Sequence, residues 1–175
     1  MKKLSVALIF WLVSSLPLLS PAFAETKTVS TNAMASVGSI LELTISQEGQ
    51  SELRFGNIQS SAIDTKEAGP VVILIDVKSN TGERYQVTQN INSALENSEG
   101  DQMNITNLKF KTSPSNSNGT GIGSPISIST ASQVIFTSDD QGASDTIKAE
   151  YTLTVPPAQA PGDYSALLTY TVSSL

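Results

Sequence analysis

The sequence predicts an all-β protein, an antiparallel β-sandwich. Three observations point there. Apolar residues alternate strictly with polar ones over Ile147 to Val155 and again over Tyr164 to Val172. The words VVILIDV, from Val71 to Val77, form a β-branched run apolar on both faces until Asp76. Short apolar stretches are separated throughout by Gly, Pro, Asn and Ser, with almost no helical periodicity between them. Period-two alternation marks strands with one buried face, and many short strands at turn-punctuated spacing suit two packed sheets.

The chain begins with Lys2 and Lys3, an apolar core from Leu4 to Leu16, Pro17 and Pro21, and then Ala22-Phe23-Ala24. A basic start, a short apolar core and a small-x-small end make an export signal cleaved after Ala24. The core is too short for a good membrane span, and no other stretch reaches that length. Removing 24 of the 175 residues leaves 151, enough for one domain and no room for two ordinary ones. It also leaves sixteen acidic residues against eight basic ones, so the formal charge moves from −6 to −8.

From Glu25 to Ile45 a period of two continues for about seventeen residues, longer than an ordinary strand. Leu53 and Phe55 fall in a short strand within SELRFGNI, ended by Gly56-Asn57. Gly69-Pro70 reads as a turn before Val71 to Val77. Ser79-Asn80-Thr81-Gly82 reads as the next turn, leading to Tyr85, Val87 and Ile91, so that Val71 to Ile91 forms a hairpin. Ala94 to Gln102 is polar and suits a short helical turn. Met103, Ile105, Leu108 and Phe110 follow, with a slip of apolar phase between Ile105 and Leu108 that predicts a bulge. Ser113 to Pro125 is a flexible loop by composition. Short strands are expected at Ile126 to Ser129 and Val134 to Thr137, and a turn at Asp139 to Gly142. Pro156-Pro157 stops the strand that begins at Ile147, and Ala160 to Asp163 connects it to the strand from Tyr164 to Val172. About eight strands result. An outer-membrane barrel is disfavoured: several strands fall short of ten residues, and aromatic residues are too few for two interfacial girdles.

The residues that carry chemistry are sparse. Histidine and cysteine are absent, which removes the commonest catalytic base, the commonest metal ligand and any disulfide. Ser and Thr abound, but Lys27, Lys66, Lys78, Lys109, Lys111 and Lys148 all lie in polar surroundings and give no Ser–Lys arrangement. Glu67 and Asp76 show no glycosidase pairing. Gly119, Gly121 and Gly123 lack the Lys-Ser/Thr and the strand–helix context of a phosphate loop. Asp139, Asp140 and Asp145 lack calcium-loop spacing and read as a polar hairpin loop. No basic cluster suits nucleic acid. The expectation is a non-enzyme without metal or cofactor.

The order of words carries a resemblance. A signal is followed by a Val/Ala-alternating segment, then LRFGNI, SNTGERYQVTQN and finally VPPAQAPGDYSALLTYTV. This resembles the small β-sandwich subunits of bacterial surface pili, nearest to the alternative and archaic chaperone–usher pilins and their spore-coat-U-like relatives. Those commonly end on a Pro-Gly-x-Tyr turn into a last alternating strand, as Pro161-Gly162-Asp163-Tyr164 does here. The missing disulfide separates the chain from many classical pilins. The resemblance implies an immunoglobulin-like sandwich that lacks one strand and is completed by a donor strand from a neighbouring subunit. It implies a signal at 1–24, an N-terminal extension at 25–38 and a sandwich at 39–175. The donor would run from about Lys27 to Val37 and insert Val29, Thr31, Ala33, Ala35 and Val37, with Thr31 departing from an otherwise apolar row. The walls of the groove would be Ile40 to Ile45 and Tyr164 to Val172. The resemblance further implies a structural role in a fimbria, with adhesion or biofilm formation, neighbouring copies or related pilins as partners, and passage past a periplasmic chaperone and an outer-membrane usher to the cell surface.

Other readings stay open at this point. Val29 to Val37 would equally serve as the first strand of their own domain. A soluble exported carbohydrate- or protein-binding sandwich has the same composition, although the aromatic platform expected of a sugar-binding face is missing: the single Trp, Trp11, lies in the signal. A periplasmic chaperone would need basic residues to anchor a partner's carboxylate, and no such arrangement is visible.

Overall fold

The computed structural model describes residues 32–46 and 52–175. The chain divides into two compact units, Met1–Ser36 and Val37–Leu175. Of the first, only residues 32–36 are described, and the expected export signal at 1–24 lies outside them. Residues 32–40 are exposed and form no strand, so the opening alternation enters a ladder only at Leu41.

Eleven strands follow in chain order: β1 (Leu41–Ser46), β2 (Lys66–Ser79), β3 (Tyr85–Ile91), β4 (Leu95–Glu96), β5 (Gln102–Met103), β6 (Leu108–Pro114), β7 (Gly119–Gly121), β8 (Ile126–Ser127), β9 (Gln133–Ser138), β10 (Asp145–Val155) and β11 (Leu168–Ser174). They build an antiparallel sandwich. One sheet runs β1-β2-β10-β6-β8 and the other β11-β3-β9-β7, with β4-β5 as a small separate ribbon. The centre of the first sheet is β10. Its residues Asp145, Ile147, Ala149, Tyr151, Leu153 and Val155 are buried in strict alternation. Each large apolar side chain buried this fully contributes roughly 1.5–3 kcal/mol from apolar transfer. The Phe110 and Tyr151 rings stack at 5.9 Å between centroids, and Tyr85 and Phe136 meet at the same separation.

Several sequence expectations are corrected. Val71 to Ile91 is not a hairpin: β2 pairs with β1 and β10, whereas β3 pairs with β11 and β9, so the link through residues 80–84 crosses between the sheets. Gly69-Pro70 is not a turn before a strand but lies inside β2, where Tyr151 pairs with Val71 and Leu153 with Ala68. Two residues there oppose Thr152 alone. Such a bulge leaves its extra residue out of the ladder, a place where proline's missing N–H costs nothing. Gly69 has φ +103°, and a Cβ on it would sit 2.6 Å from the Tyr151 carbonyl oxygen. Residues 94–102 hold the β4–β5 ribbon instead of a helical turn, and the phase slip after Ile105 is a 3-10 turn over Ile105–Asn107, capped by Asn104, not a bulge. The loop from Ser113 to Pro125 contains β7. Leu53 and Phe55 are outside any strand, yet both pack on the core.

The long sides of the sandwich differ. At the side of β6 and β9 the chain passes from β7 in one sheet to β8 in the other and stitches the two together. The Thr112 amide donates to the Ile122 carbonyl at 2.8 Å, and the Thr112 hydroxyl donates to the Ile135 carbonyl and accepts from the Ile122 amide. Ile128 donates to Leu108 and Ile91 to Ser129. Gly121 fits because it has no side chain: a Cβ would lie 2.6 Å from the Thr112 carbonyl oxygen. At the opposite side no described strand joins the two sheets, and it holds the candidate site.

Candidate functional site

On the open side, β1 hydrogen-bonds to β2 alone and β11 to β3 alone. Each is the edge strand of its sheet. They come within 8 Å of each other, Cα to Cα, with no ladder between them among the described residues. They overlap Ile40 to Ile45 and Tyr164 to Val172, the walls that the resemblance implies, although β11 itself begins only at Leu168. The inward side chains of β1 (Leu41, Leu43 and Ile45) and of the C-terminal stretch (Tyr164, Ala166, Leu168, Tyr170 and Val172) are all only partly buried, though packed on the core. One strand further in, Ile73, Ile75 and Val77 of β2 and Val87 and Ile91 of β3 are at most 2% exposed. Burial is therefore only partial at the edges, along a seam lined by apolar alternation and bordered by backbone groups that have no ladder partner among the described residues.

The floor of the seam has one polar cluster. Tyr170 stands opposite Gln89 in the β11–β3 ladder. The Tyr151 hydroxyl, from the other sheet, donates to Gln89 Oε1 at 2.6 Å and lies 2.6 Å from the Tyr170 hydroxyl. Gln89 is 1% exposed, and its Nε2 has no partner. Burial pushes Tyr151 well above the ordinary tyrosine range, with the adjoining Tyr170 adding to the effect. Burial raises Tyr170 as well, against the opposing pull of its bond to Tyr151. Both phenols are neutral at ordinary pH, and the cluster is a hydrogen-bond chain without charge. Alternation placed Tyr170 inward. Gln89 was missed, although it is a polar residue in the apolar phase of Tyr85, Val87 and Ile91, which was the available signal.

Of the expected donor residues, Val29 and Thr31 lie outside the described residues. Ala33, Ala35 and Val37 are described, exposed and outside any strand, with Val37 at 83% exposure and its neighbour Met34 at 94%.

Neither sequence nor comparison assigns the chain to a family. No protein-family model and no curated protein matches it.

Several side chains weighed for catalysis or metal binding are held in separate local contacts. The buried Asp145 accepts from the amides of Asn116 and Asn118, one per oxygen. Asp139 accepts from the Ala143 amide, and Asp140 pairs with Arg84 at 3.4 Å. Asp76 accepts from the Thr146 hydroxyl at 2.6 Å. Among the described residues no three acidic side chains gather where a metal could be held. Lys111 and Lys148 both donate to Glu150, holding its carboxyl below the usual range. The Tyr85 hydroxyl donates to the Ala143 carbonyl, and burial, then Asp145 and Asp139, push it up to about 12. Among the described residues no helix is long and apolar enough to cross a membrane.

Proposed function

We propose that the protein is a structural subunit of a bacterial surface pilus or fimbria, exported by its N-terminal signal and polymerising non-covalently by donor-strand complementation. Residues of the Lys27 to Val37 arm of one copy insert into the seam of the next. The single observation that carries this reading is the pair of free edges, β1 and β11, flanking a half-buried apolar row. An added strand hydrogen-bonds to an edge and offers every second side chain to the core. It needs about 4.8 Å on each side. Since β1 and β11 approach within 8 Å, insertion moves them apart, which edges without a mutual ladder permit. The exposed Ala33, Ala35 and Val37 would become buried at that step. Adhesion or biofilm formation would follow from the fibre, with a chaperone and an usher covering the seam in transit.

The test is the polymer. Unboiled surface extract should give a ladder at multiples of about 16 kDa, which is 18.5 kDa for 175 residues scaled to 151, collapsing to one band on boiling. Ala33→Asp or Ala35→Asp forces a charge into an apolar seam and should abolish the ladder, while the sandwich stays folded and still binds an added arm peptide. A single unboiled band at monomer mass from cells that display the protein would defeat this reading.

A further inference from the structure

The proposed strand exchange leaves the direction and register of the inserted strand open. We propose that the seam selects its arm through one hydroxyl: Thr31 of the incoming copy joins the Tyr170–Tyr151–Gln89 chain, fixing an antiparallel arm in a single register. This inference rests on the proposed strand exchange.

The wall formed by the C-terminal stretch offers five inward positions, Tyr164, Ala166, Leu168, Tyr170 and Val172. The arm's alternating row also has five, Val29, Thr31, Ala33, Ala35 and Val37. Laid antiparallel, the rows bring Val29 to Val172, Thr31 to Tyr170, Ala33 to Leu168, Ala35 to Ala166 and Val37 to Tyr164. The one polar arm residue then meets the one wall position with spare hydrogen-bonding capacity. Tyr151 gives its proton to Gln89, so the hydrogen between the two phenols comes from Tyr170, whose oxygen keeps a free lone pair. Gln89 Nε2 beneath it is a buried donor with no partner. A hydroxyl both gives and accepts, and so suits either atom. Tyr164 is no rival, because its hydroxyl already donates to the Ala160 carbonyl and accepts from Gln159. Laid parallel, the rows set Thr31 against Ala166. Slipped by two residues, they set it against Leu168 or Val172. Each alternative buries the hydroxyl without a partner, which is costly. A short row of small apolar residues specifies register weakly by itself, so one matched polar pair decides it.

The test uses polymers of the full chain and the rate at which they dissociate in detergent. Valine has the shape of threonine and is less polar, so in a purely apolar seam Thr31→Val would slow dissociation. Here it should speed dissociation about tenfold, the effect of one buried hydrogen bond left unmade. Thr31→Ser should stay near wild type, and in a Tyr170→Phe background Thr31→Val should lose its penalty. Geometry gives a second test, because the chain has no cysteine. Oxidised Val29→Cys/Val172→Cys polymers should become a covalent ladder, whereas Val37→Cys/Val172→Cys polymers should not. Polymers in which Thr31→Val dissociates no faster, or in which the second cysteine pair crosslinks instead of the first, overturn the register while strand exchange stands. A wild-type chain that forms no polymer overturns both.

Discussion

The side of the sandwich at β6 and β9 and the side at β1 and β11 are made of similar alternating strands, yet their edges meet different fates. At the first, residues 119–129 cross between the sheets, Thr112 bonds to the crossing chain, and the neighbouring Leu108, Phe110, Ile135 and Phe136 are buried. At the second, no strand among the described residues joins β1 to β11, and equally apolar side chains stay half-exposed. Apolar alternation alone does not close a core. Closure needs a strand or loop that satisfies the edge backbone while it covers the side chains, and among the described residues the first side supplies its own.

The sharpest way to break this comparison is to remove matched bulk from each side. Leu108→Ala, on the closed side, should cost about 2–5 kcal/mol in denaturant unfolding. Leu43→Ala, at the half-buried edge, should cost about 1–2 kcal/mol in the depolymerised chain, because less area returns to water. Its cost should grow in the polymer. Equal costs in the free chain would mean that the two sides are equally closed.

A smaller effect is expected at the crossing. Gly121→Ala places a methyl against the Thr112 carbonyl, and overpacking of this kind costs about 1–3 kcal/mol. Hydrogen exchange should quicken at the Thr112 and Ile122 amides and stay unchanged along β11. Protection lost equally on both sides would argue against independent edges.

Alkaline pH probes the interior that both sides share. Tyr85, Tyr151 and Tyr170 have folded-state pKa values above their ordinary one near 10. Their contribution to stability is complete below pH 10 and is lost as pH rises through the folded values, about 12 for Tyr85. Tyrosinate absorbance from these residues should emerge together with loss of β-sheet circular dichroism. If Tyr170 ionises near pH 10 with the sheets intact, the seam floor is open to water and the cluster is not buried.

The smallest effect serves as a control on the outer face. Glu150→Gln removes a carboxylate shared by two lysines that are each more than 40% exposed. Exposed pairs of this kind contribute under about 1 kcal/mol and are screened by salt. Unfolding and dissociation of polymers should both be nearly unchanged.

What was legible in the sequence follows a physical line. Period two reports which side chains face the core, and it does so well: β10 and the inward residues from Tyr164 to Val172 are as read. It does not report which backbone is hydrogen-bonded to which. Leu53 and Phe55 alternate and pack on the core, yet no ladder holds them. The SNTG loop looks the same whether it joins partners in one sheet or carries the chain across to the other. Gly69-Pro70 was read as punctuation because proline donates no hydrogen bond, and a bulge inside β2 satisfies that constraint just as well. At the site, the expected walls came from the resemblance, and they overlap the edge strands β1 and β11. The floor was hidden because Gln89, Tyr151 and Tyr170 lie on three strands that only the packing of the two sheets brings together.

The walls of the seam are the first and last strands of the sandwich along the chain, and this has a consequence in time. As the polypeptide emerges from its amino end, β1 and β2 can pair early, but the second sheet keeps β3 as a bare edge until β11 arrives. That late pairing joins Tyr85–Ile91 to Leu168–Ser174 across a long loop, and contacts so distant in sequence form slowly. An unfinished chain therefore exposes a wider gap than the finished one, over the same core and on the same flank. The second sheet is therefore complete only when Leu168–Ser174 has docked beside Tyr85–Ile91.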